Sequence, residues 1–151
     1  TAAHEESMII DITGDCMDRV SEHLKKTLVK HTPAIYRTHD RRTTVVCLAS
    51  RGRDIGERIE YWFGLRIKQR EALESGGESY IALGCGSKNR IVLVPFLKFR
   101  HRLDDMNTTG KGEGIRHWHI EVVEEQDNYR LRLKAGRPAV DLTEYLLTRN
   151  I

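Results

Sequence analysis

A chain of 151 residues, 39% hydrophobic and 31% charged, is long enough to close one core and short for a two-domain enzyme. No apolar run approaches the roughly 20 residues needed to cross a bilayer, so no membrane span is expected. A net charge of +3 and a pI near 8.8 are too mild to dictate a polyanionic partner, which only the distribution of charge over the folded surface can do.

The chain opens on Thr1 without a secretory signal pattern, which fits a single domain over residues 1–151 excised from a larger protein. Cys16, Cys47 and Cys85 are odd in number, widely spaced and free of CxxC spacing. Reduced thiols in a cytoplasmic protein are therefore expected.

From Asp15, placed as an N-cap, Cys16, Val20, Leu24 and Leu28 recur every fourth residue, and this predicts an amphipathic helix ending near Pro33. Thr43 to Ala49 is short and β-branched, as a buried strand would be. Over residues 59–65, Ile59, Tyr61, Phe63 and Leu65 alternate with Glu60, Trp62 and Gly64. That period places the first set inward and leaves Trp62 on the opposite face, either packed beneath a helix or open to stack on a base.

KQREALES (68–75) reads as a short helix stopped by Gly76 and Gly77. Tyr80 to Leu83 and Ile91 to Val94 follow as strands joined by the turn-forming GCGSKN. In PFLKFRHRLDDM (95–106), Pro95 suits the first helical position, and Phe96, Phe99, Leu103 and Met106 share one side opposite Lys98, His101 and Arg102. The glycine-rich NTTGKGEG (107–114) reads as a mobile connector. It lacks the spacing of a phosphate-binding loop, although Lys111 at its tip could reach a phosphate. AVDLTEYLL (139–147) is expected to close the chain as a helix.

GIRHWHIEVVEEQDNYRLRL (114–133) predicts a hairpin with Trp118, Ile120, Val122, Tyr129, Leu131 and Leu133 inward. Pairing Val123 with Asn128 sets Glu121 opposite Arg130, His119 opposite Arg132 and His117 opposite Lys134. His117, His119 and Glu121 have zinc-ligand spacing on a strand, and the two histidines are candidate catalytic groups of a small nuclease or phosphoesterase. Three cationic neighbours would repel a divalent ion, so a polar surface is the favoured reading and neither metal nor cofactor is expected. The acidic pairs Glu124 with Glu125 and Asp104 with Asp105 read as solvent-facing.

Arg37, Arg41, Arg42, Arg51 and Arg53 bracket the 43–49 strand with only Asp40 against them. Arginine forks suit phosphate oxygens. Lys98, His101 and Arg102 form a second basic group, and Arg130, Arg132 and Lys134 a third. No GxSxG, HExxH or common nuclease pattern is present.

The ordered series YWFG (61–64), YIALGCGS (80–87), IVLVPF (91–96), RHWHIEV (116–122) and VDLTEYL (140–146) resembles accessory or target-recognition modules of prokaryotic restriction and defence proteins. It covers about the last 90 residues. The resemblance implies nucleic-acid binding beside a separate catalytic domain or subunit with nuclease or ATPase activity, and it carries no catalytic residue over to this chain.

The combined expectation is an α+β fold on an antiparallel, barrel-like sheet of about six strands with about four helices. Its expected function is to bind nucleic acid, DNA in the first place, through Arg and Lys with aromatic stacking at Trp62. Alternatives are the histidine-dependent enzyme and a domain docking an acidic protein partner.

Overall fold

The computed structural model describes residues 2–75, 77–86 and 90–147, with side chains from residue 13 onward. The elements run α1 (Ala2–Leu24), β1 (Val29–Lys30), β2 (Ile35–Arg37), β3 (Thr43–Ser50), β4 (Arg53–Ile55), β5 (Arg58–Arg66), α2 (Ile67–Glu74), β6 (Glu78–Cys85) and β7 (Ile91–Pro95). Then come α3 (Phe96–Phe99), β8 (Thr108–Thr109), β9 (His117–Glu125), β10 (Asn128–Arg132) and β11 (Val140–Asp141), with 3-10 turns at 100–105, 112–114 and 143–145.

Two sheets form in place of one barrel. The first has the order β1-β2-β3-β6-β7; the second has the order β11-β10-β9-β5-β4, with β8 also paired to β9. Among the described residues there are three α-helices rather than about four, and eleven strands rather than about six. One pairing departs from the antiparallel expectation: β3 and β6 run parallel over all eight residues of each.

Side-chain alternation explains the layering. On β3, Val46 and Leu48 pack with Phe63, Leu65, Ile120 and Leu131 of the second sheet, whereas Val45 and Cys47 pack with Cys16, Met17 and Val20 of α1. Both faces of β3 are covered, which is why its sequence is a continuous apolar run. The second sheet is covered on one face only, and its strands alternate accordingly.

Helix α1 extends well N-terminal of Asp15 and stops at Leu24 rather than near Pro33. Lys25 takes φ 56°, its N–H donates to Glu22 O and the Lys26 N–H donates to Ser21 O. These two bonds form a Schellman stop, with a lysine where glycine is more usual. Residues 139–147 are not a helix. Val140 and Asp141 extend the second sheet, and the Asp141 carboxylate accepts from both the N–H and the hydroxyl of Thr143, diverting the chain into a single 3-10 turn.

The α2 helix and the β6–β7 hairpin form as expected, and β9 and β10 pair as a hairpin in a different register. Gly76 and Ser87 to Asn89, part of the expected helix stop and turn, lie outside the described residues. The 95–106 segment buries Phe96, Phe99, Leu103 and Met106 as the spacing predicts, although only its first turn is α-helical. The expected connector 107–114 contains β8, which pairs Thr108 with Trp118 and Thr109 with His117.

Candidate nucleic-acid interface

The outer face of the second sheet positions the candidate residues. On β5 the outward set is Glu60, Trp62, Gly64 and Arg66; on β9 it is His117, His119, Glu121 and Val123; on β10 it includes Arg130 and Arg132. The register sets Trp62, Glu121 and Arg132 in one row, Gly64 beside His119, and Arg66 beside His117 and then Thr109.

This register is shifted by two residues from the expected one, since Asn128 pairs with Glu125 and Arg130 with Val123. Gln126 and Asp127, with φ of 53° and 63°, form a two-residue turn of the mirror-image type that matches strand twist, where a four-residue loop was expected. A shift of two preserves which face each side chain takes but changes its neighbour. His117 and His119 therefore meet β8 instead of Arg132 and Lys134.

Trp62 is uncovered, with 51% of its surface exposed. Its indole lies over Gly64, where an added Cβ would come within 3.1 Å of the ring. Its edge meets the His119 ring at 5.3 Å between centroids and 66° between planes. His119 is itself fixed by Thr109, whose Oγ1 is 2.8 Å from Nε2. The Trp62 backbone N–H donates to Ser50 Oγ at 3.3 Å, tying this edge of β5 to the first sheet. The ring is thus held from below and at one edge, with its other face open.

A cleft of about 1560 Å³ runs past this ring. Its lining includes Leu48 and Ser50 of β3, Ala34 just before β2, and Trp62, Gly64 and Glu121 of the outer face of the second sheet. Lys30, Arg51, Arg53, Arg66, Lys68 and Arg132 line it against two carboxylates, Glu60 and Glu121. Pockets for single small molecules commonly measure about 300–1,000 Å³, so this volume suits an extended ligand.

Glu60 is shared by three arginines: Arg132 at 3.0 Å, Arg58 at 3.3 Å and Arg53 at 3.6 Å. The Arg132 hydrogen bond, with the three positive charges, holds its carboxyl below the usual range. Glu60 consequently remains ionised, and the cluster as a whole stays cationic.

The sequence-derived candidates divide. Arg51, Arg53, Trp62 and Arg132 converge on the cleft, together with His117 and Glu121. Arg130 lies on the same sheet face in a neighbouring depression of about 170 Å³. Arg37, Arg41 and Arg42 sit around the opposite end of β3, about 30 Å from Arg51 at strand rise, so the bracketing arginines do not form one group. Lys98, His101, Arg102, Lys111 and Lys134 all lie outside the cleft. Among the described residues no three His, Cys, Asp or Glu side chains come together as a metal-holding group.

Sequence reasoning missed Lys30, Arg66 and Lys68. Arg66 was accessible, because it falls four residues beyond Trp62 on the same strand face. It also misplaced Glu124, which is 8% exposed rather than solvent-facing. Glu124 accepts from the Tyr61 hydroxyl at 3.1 Å and pairs with Arg90 at 3.4 Å. Burial first, and the Glu124 charge second, push the Tyr61 phenol up to about 12.

Compared with family models, with curated proteins and with solved structures, the chain finds no match.

Proposed function

We propose that the chain binds single-stranded nucleic acid, DNA in the first place, along the cleft that residues of both sheets line, as the target-binding module of a restriction or defence protein whose catalysis lies in a partner domain or subunit. One observation carries this reading: an open, pre-positioned indole stands in the wall of a cleft lined by six cationic side chains and two carboxylates. Cations along a groove follow a phosphate backbone, and an aromatic face accepts any base, which is the combination single-strand binders use. The likeness of the 61–146 series to restriction-associated modules supports the same reading.

The test is fluorescence anisotropy with labelled single strands and duplexes at low and high salt. Wild-type protein binds single strands more tightly, and affinity falls steeply with salt. Lys30→Glu with Lys68→Glu, both exposed on the cleft rim, removes the binding. Arg41→Glu with Lys98→Glu, outside the cleft, leaves it largely intact. Absence of binding to any strand at low salt overturns the proposal, and equal loss in both double variants overturns its location.

A further inference from the structure

A carboxylate in a groove for phosphates repels its ligand unless it has a task there. Glu60 has one, because three arginines share it. Glu121 does not. It is half-buried in the cleft wall, and among the described residues it makes no hydrogen bond or ion pair. Its neighbour on β10, Arg132, is committed to Glu60.

Glu121 stands directly opposite Trp62 across the β5–β9 pair, and both side chains project into the cleft. Cβ atoms so paired are about 4.5–5.5 Å apart. A base stacked on the open indole face therefore brings one edge to the carboxylate. Trp62 cannot easily turn away, since Gly64 lies beneath it and His119 abuts its edge.

An ionised carboxylate offers acceptors only, two oxygens side by side. Of the unpaired bases, guanine alone presents two adjacent donors on one edge, N1–H and the N2 amino group. Adenine and cytosine each place a ring acceptor beside their amino group, and thymine and uracil flank one N–H with two carbonyls. In a duplex the guanine donors are occupied by cytosine, so the contact requires an unpaired strand or an extruded base.

We infer that Trp62 and Glu121 form a guanine-selective base site within the cleft, the indole stacking on the purine and the carboxylate accepting from N1–H and N2–H. The inference rests on the reading of the cleft as a nucleic-acid groove and adds a base preference to it.

The experiment measures affinity for oligothymidylate strands carrying one central guanine, adenine, cytosine or hypoxanthine, at low salt. Hypoxanthine keeps N1–H and lacks the amino group. Guanine binds roughly tenfold or more tightly than adenine or cytosine, as a good bidentate contact would give, with hypoxanthine between them. Glu121→Gln removes the guanine preference, while plain oligothymidylate still binds in a salt-dependent way and no more weakly than to wild-type protein, because a negative charge has left the cleft. If the four strands bind alike to wild-type protein, or if Glu121→Gln retains the preference, the guanine site is overturned while the cleft reading stands. If no strand binds, both fall.

Discussion

Arg132 reaches across β9 to donate from Nη2 to Glu60 Oε2 on β5, at 3.0 Å. Through this bond β5 and β10, which share no hydrogen-bond ladder, are joined at the cleft, and Glu60 offsets part of the positive charge there. Glu60→Gln leaves Arg53, Arg58 and Arg132 without their shared carboxylate. Single-strand affinity at low salt rises severalfold and its salt dependence steepens, read by anisotropy. Unchanged affinity and slope would show that these arginines do not face the ligand.

Gly64→Ala places a methyl 3.1 Å from the Trp62 ring and displaces the indole without touching any ligand. Stacking on an aromatic side chain is worth about 1–3 kcal/mol per base, so binding weakens by a part of that. In a Trp62→Ala background the same change has no further effect, a non-additivity that a double-mutant cycle reads directly. Full additivity would place Gly64 and Trp62 in separate roles.

Gly77, at φ +74°, starts the run into β6, and an added Cβ would overlap the Arg42 carbonyl oxygen. That oxygen accepts the Glu78 N–H at 2.8 Å where the parallel β3–β6 pairing begins. Gly77→Ala lowers the urea midpoint, by about 2 kcal/mol or more in stability, from both the strained backbone and the overlap. An unchanged midpoint would mean that this turn relaxes freely.

Burial disfavours the tyrosinate form, and folded Tyr61 and Tyr80 keep their protons to about 12, against 10.0 for an ordinary tyrosine. Between these values the folded chain binds more protons than the unfolded one. The stability contributed is complete below about pH 10 and is lost as the pH rises through about 12. Ultraviolet titration of tyrosinate, followed alongside circular dichroism, shows these phenols ionising above pH 10 and together with loss of structure. Ionisation near 10 in an intact fold would contradict the described burial.

Much of the second sheet was legible because one of its faces is buried. Tyr61, Phe63 and Leu65, and Trp118, Ile120 and Val122, alternate with polar residues, and the period fixes their direction. Which residues face one another was not legible, since the two-residue turn at Gln126 and Asp127 sets the register and neither is the glycine or asparagine that usually marks such a turn. The parallel pairing of β3 with β6 depends on a crossover through β4, β5 and α2, for which no local pattern exists. The cleft was legible in fragments. Arg51, Arg53, Trp62 and Arg132 could be named one at a time, but their meeting with Lys30 of β1 and Lys68 of α2 is a product of tertiary packing.

Photocrosslinking tests whether nucleic acid lies against Trp62 in the cleft. A single strand carrying 5-iodouracil is irradiated with the protein at low salt, and the attached peptide is identified by mass spectrometry. Attachment is expected at Trp62 or its immediate cleft neighbours and is abolished by high salt. Attachment confined to the Arg41–Arg42 turn or to the Lys98–Arg102 segment, or none at all, would rule out the proposed position of the strand.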